Sequence, residues 1–179
     1  MHTKTLAIGA LLAAALLPAA HAQQTLDLSA GPVDYTTWTR FGSATAQNST
    51  PGNGFTYSVL TLTQTGTGDQ AGAAFAPQAL ALDFNQAFSI HFNWWIPVPS
   101  GTDTLRGDGM TFVLTGAPAL GSGGSGLGYE GSASNSVAWA IDTFNFQDVP
   151  VSPSLQILTS GSVTPVAVTE TGLGDDVRY

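Results

Sequence analysis

The chain has 179 residues, with 12 Asp and Glu against 4 Lys and Arg and a formal net charge of −8. Charged residues are only 9% of the whole and Cys is absent, where an average soluble domain is about 25% charged. The acidity argues against a nucleic-acid partner, which needs a basic patch. The missing Cys excludes a disulfide scaffold, a thiolate metal site and a Cys nucleophile. In chain order, the first feature is not structural. His2 and Lys4 make a weakly basic start, Leu6 to Leu17 is an apolar run, and Ala20-His21-Ala22 is a small-x-small cleavage site. Residues 1–22 therefore read as a secretory signal peptide. The run is shorter than the about 20 residues of a membrane span, and no later stretch qualifies. One domain, residues 23–179, is expected in a secreted, periplasmic or cell-surface setting, with no transmembrane segment. Without Cys it must hold by burial alone.

Beyond the signal, no window shows sustained helical spacing, and two-residue alternation recurs instead. Phe55–Thr63 opposes Phe55, Tyr57 and Val59 to Thr56, Ser58 and Leu60. Ala87–Val98 places Phe88, Ile90, Phe92, Trp94 and Ile96 on one face, predicting a long strand with that face in a hydrophobic core. His91 and Trp95 fall on its other face. Met110, Phe112 and Leu114 alternate with Thr111, Val113 and Thr115, and Val137, Trp139 and Ile141 alternate with Ala138, Ala140 and Asp142. Ser154–Thr159 and Ser162–Val168 are further predicted strands. Gly, Pro and Asn clusters separate them, including Pro51-Gly52-Asn53-Gly54, Gly66-Thr67-Gly68-Asp69 and Gly121-Ser122-Gly123-Gly124. Many short strands with turn signals between them predict an all-β sandwich of two antiparallel sheets.

Three segments carry chemistry when taken together. Gly107-Asp108-Gly109 stands at the start of a predicted strand, where an Asp between glycines is also an ordinary turn. Gly123-Gly124-Ser125-Gly126-Leu127-Gly128 offers bare backbone N–H groups. The strand Val137–Asp142 ends in an Asp, and the following residues supply Asn145 and Asp148. Carboxylate, amide and carbonyl oxygens are what calcium requires, six to eight of them.

Their order and spacing resemble the legume-type (L-type) lectins, in their bacterial secreted branch. The resemblance covers roughly residues 54–170 and is carried by the Asp-Gly before an apolar strand, the Gly-rich loop ending in Leu-Gly, and Val-Ala-x-x-Ile-Asp-Thr-Phe. It implies a concanavalin-like (jelly-roll type) sandwich that binds glycans beside a calcium ion. By that resemblance, Asp108 accepts hydrogen bonds from sugar hydroxyls, and Gly124 or Gly123 donates a backbone N–H. Asp142, the Phe144 carbonyl, Asn145 and Asp148 ligate calcium, and Asn145 also touches the sugar. Phe144 or Tyr129 stacks on the sugar's apolar face.

The chain departs from the family in two places. Ala140 stands where the family commonly has a Glu, and Ser154 matches its His best. Those two are transition-metal ligands in plant members, so no manganese is expected here. Asn145 also lies three residues after Asp142, one fewer than usual, so its double role and the calcium site rest on a thin ligand set. Related sandwiches include β-glucanases, whose retaining chemistry needs two carboxyls about 5–5.5 Å apart. The strand Trp139-Ala140-Ile141-Asp142 lacks both Glu residues, and no Ser-His-Asp set stands out. The expectation is a non-enzymatic lectin domain. The alternative is a structural sandwich of a surface, matrix or adhesion protein with a degenerate sugar site; a glycoside hydrolase ranks below both. Gly174 to Tyr179 carries no terminal strand signal, so further strands of a longer chain are expected to follow.

Overall fold

A strand is stable when alternate side chains find cover on one face while the backbone pairs sideways. The computed structural model describes residues 33–50, 52, 54, 56–80, 82, 85, 88–90, 92–96, 107–144, 153–170 and 177–178, without the side chains of 170, 177 and 178. The described strands are β1 (Thr39–Gly42), β2 (Thr45–Ser49), β3 (Tyr57–Thr61), β4 (Gly72–Phe75), β5 (Trp95–Ile96), β6 (Gly109–Thr115), β7 (Ser136–Asp142), β8 (Ser154–Thr159), β9 (Ala167–Glu170) and β10 (Val177–Arg178). Helical structure among the described residues is limited to two 3-10 turns, Tyr35–Thr37 and Gly124–Gly126. Every pairing among the described strands is antiparallel. The chain is thus all-β, in keeping with a sandwich of antiparallel sheets.

The main sheet runs in the order β6-β7-β8-β9, and β1–β4, β2–β3 and β5–β10 form separate two-stranded pairs. Phe112 lies opposite Trp139, which lies opposite Ile157. This register gathers Met110, Phe112, Leu114, Val137, Trp139, Ile141, Leu155 and Ile157 on one face. Val113, Ala138, Ala140, Asp142, Ser154, Gln156 and Leu158 share the other.

β3, β6, β7 and β8 fall where alternation predicts them. β1, β2 and β4 were not legible, because Thr-Arg-Phe-Gly, Thr-Ala-Gln-Asn-Ser and Gly-Ala-Ala-Phe carry small and polar residues without an apolar rhythm. The strand expected over Ser162–Val168 is displaced to Ala167–Glu170. The Ser162 N–H bonds back to the Thr159 carbonyl at 3.0 Å, closing a turn, and pairing resumes only with Val166 N–H on Ile157 O at 2.8 Å.

The long strand expected over Ala87–Val98 is also corrected. Its described strand residues are Trp95–Ile96, paired with Val177–Arg178, so a short strand does form within the Gly174–Tyr179 stretch where none was expected. Phe88, Ile90 and Phe92 are exposed rather than buried in a core. Phe88 meets Trp139 edge-on at 6.5 Å and Phe92 stacks on Phe112 at 5.3 Å. These rings lie against the large-residue face of the main sheet and cover only part of it. His91 and the predicted signal peptide lie outside the described residues.

Candidate functional site

The register of the main sheet brings two of the sequence candidates to one end. Gly109 opens β6 and lies opposite Asp142, the last residue of β7, so Asp108 and the segment after Asp142 leave the sheet side by side. Two hydrogen bonds tie them. The Thr143 N–H donates to the Asp108 carbonyl at 3.0 Å, and Thr143 Oγ1 donates to the Gly107 carbonyl at 2.8 Å. Asp108 and Phe144 are both half-buried.

The Gly-rich loop arrives at the same place. Its foot is an isolated bridge between Ser122 and Glu130. The loop closes on itself: Gly121 N–H bonds Gly128 O at 2.8 Å, Gly128 N–H bonds Ser122 O at 2.8 Å, and Leu127 N–H bonds Gly124 O at 2.8 Å. Gly126, Tyr129 and Glu130 spend their N–H groups inside the loop as well. The N–H groups of Gly123, Gly124 and Ser125 take no part in these bonds, and all three residues are exposed. Gly124 sits at φ +62, a left-handed conformation that a side chain resists. A Cβ placed on it would lie 3.9 Å from Asp108 Oδ2. Bare backbone and carboxylate therefore face each other directly. Leu127 is also left-handed, at φ 53, a cost of about 1–2 kcal/mol. Its side chain packs against the cluster of Tyr129, Ala138, Ala140 and Leu158, which offsets the strain.

Beneath the loop lies a buried polar group. Asp142, Ser154 and Gln156 are 8%, 0% and 5% exposed. Gln156 Nε2 donates to Asp142 Oδ2 at 3.1 Å and to Ser154 Oγ at 3.0 Å. Asp142 Oδ1 accepts the Phe144 N–H at 3.2 Å. For calcium, the donor set is thus half in view. Asp142 contributes a carboxylate at the loop end, but N–H donors already address both of its oxygens. Asn145 and Asp148, which would add to the oxygens a hard cation needs, lie outside the described residues. Among the described residues no group of three or more His, Cys, Asp or Glu side chains converges.

Tyr129 must be corrected as a stacking residue. It is fully buried, so neither ring face is open to a ligand. Its hydroxyl accepts the Gly161 N–H at 3.1 Å and shares a 2.8 Å hydrogen bond with Ser136 Oγ, which itself donates to Ala133 O at 2.5 Å. Because Ser136 spends its proton on Ala133, Tyr129 is the donor to Ser136. The residue is a structural pin under the Gly-rich loop. Gln156 is the participant that sequence reasoning missed. Its signal was the run Ser154-x-Gln156-x-Leu158, which places an amide opposite the methyl of Ala140.

No family model matches the chain, and no curated protein matches it.

Proposed function

We propose that this chain is an exported carbohydrate-binding domain of concanavalin-like, legume-lectin type, acting by recognition and not by catalysis. The observation that supports it most is the meeting of Asp108 with the exposed tip Gly123–Ser125. A sugar presents neighbouring hydroxyls that both donate and accept. A carboxylate accepts hydrogen bonds from them, and N–H groups left unspent by the loop donate to their oxygens. The half-buried Phe144, joined to Asp108 through Thr143, offers an apolar surface for the C–H side of the ring. Calcium belongs to this reading, held by Asp142, the Phe144 carbonyl, Asn145 and Asp148. Its chemistry would be to bring the Asn145 and Asp148 side chains to the end of β7.

The test is a glycan array with and without a calcium chelator. Asp108→Ala is expected to weaken binding about 10–100-fold, the worth of one or two hydrogen bonds to a charged group. Silence of the wild type on the array, or binding untouched by Asp108→Ala, would overturn the reading. A second reading, a structural sandwich module with a degenerate sugar site, draws on the open apolar face around Trp139, Leu155 and Ile157. A purified protein with no bound calcium and no melting shift on adding it would favour that module.

A further inference from the structure

We infer that Gln156 is the positioning residue of this site, supplying with a neutral amide the positive pole that a transition-metal ion between β7 and β8 would otherwise supply to Asp142. Three observations carry the inference. One nitrogen commits both of its protons, to Asp142 Oδ2 and to Ser154 Oγ. All three side chains are buried, where a hydrogen bond to a charged group counts for more than in water. The other carboxylate oxygen of Asp142 accepts the Phe144 N–H. A continuous line thus runs from β8 through the amide and the carboxylate to the Phe144 backbone.

An N–H aimed at Oδ2 puts partial positive charge where a cation would sit. The β7–β8 side of Asp142 is therefore closed to a divalent transition metal. The opposite residue, Ala140, brings no side-chain oxygen. The role of Gln156 as part of a sugar site rests on the reading above; its hold on Asp142 does not.

Gln156→Glu tests it, because the shape is kept while the donor becomes a second carboxylate. Two carboxylates in hydrogen-bond range cannot both stay charged in a buried cell without a proton or a cation. At neutral pH with chelator, Gln156→Glu is expected to melt about 5–10 °C below wild type. Manganese should restore most of the loss, since Asp142, the new carboxylate of Gln156→Glu and the Ser154 hydroxyl would then offer three oxygens. The wild type should be indifferent to manganese. The exchanged pair Asp142→Asn with Gln156→Glu restores one donor and one carboxylate, and should regain stability without metal. A bulk packing role for Gln156 would move neither the manganese response nor the exchange.

The inference is overturned if manganese raises the melting temperature of the wild type. It is equally overturned if the Glu variant melts like wild type in chelator, or if neither manganese nor the exchanged pair recovers it. Glycan binding of the wild type is measured alongside. A silent array with the expected melting pattern removes the sugar reading and leaves the Gln156 assignment in place.

Discussion

The two faces of the β6–β9 sheet are built from the same strands and behave oppositely. One carries Phe112, Trp139, Ile141, Leu155 and Ile157, yet Trp139 is 38% and Leu155 41% exposed. The other carries Ala138, Ala140, Asp142, Ser154, Gln156 and Leu158, and its residues in β7 and β8 are buried. Hydrophobicity by itself would have assigned burial the other way. The difference lies in what each face receives. Small side chains let the Gly-rich loop lie close, and Tyr129 and Leu127 fill the space above the alanines. On the large-residue face the described cover consists of ring contacts from Phe88 and Phe92. Burial follows the shape of the covering element as much as the polarity of the residue covered.

The largest expected effect is on the covered face. Tyr129→Ala should cost about 3–5 kcal/mol by denaturant unfolding, since it opens a cavity under the loop and removes the donor to Ser136 Oγ and the acceptor of the Gly161 N–H. Trp139→Ala, on the open face, should cost only about 1–2 kcal/mol because part of the ring is already in water. Equal losses would break the contrast between the faces. A middle-sized effect is expected at the site end. Gly109 has φ +151, and a Cβ there would run into the Ile141 carbonyl oxygen. Gly109→Ala should therefore cost about 1–3 kcal/mol, while Gly116→Ala, with open space around it, should stay within about 0.5 kcal/mol of wild type.

The smallest effect concerns a carboxylate outside both faces. The side-chain hydrogen bond from Thr36, then the Thr36 backbone N–H, hold fully exposed Asp34 below its ordinary range. Its folded pKa lies below its unfolded one, so its contribution is present above the unfolded pKa and fades as pH falls through the folded value. The melting-temperature gap between wild type and Asp34→Ala should thus be small at neutral pH and close in acid. A gap that widens in acid would reverse the sign.

Much of the scaffold was legible because β6, β7 and β8 alternate cleanly, and alternation is a local property of the chain. Asp108 and the Gly123–Gly124 tip were legible as chemistry because a carboxylate and bare N–H groups are visible residue by residue. Their meeting was not, since it depends on the pairing of Gly109 with Asp142 across β6 and β7. Tyr129 reads as an open stacking ring for the same reason: an aromatic beside a glycine loop looks available until the loop folds its ring inward. Gln156 escaped notice because an amide among strand residues has no pattern of its own. Its role exists only once β8 lies beside β7.

The sequence by itself determined the all-β class, the main strands, the scarcity of cations and the residue types at the sheet end. These depend on composition and near-neighbour spacing. Only the tertiary structure decided which face of the sheet is buried, which N–H groups the loop leaves unspent, and that an amide holds Asp142. Each of these depends on residues far apart in the chain coming within hydrogen-bond or van der Waals range, and spacing along one strand carries no information about that.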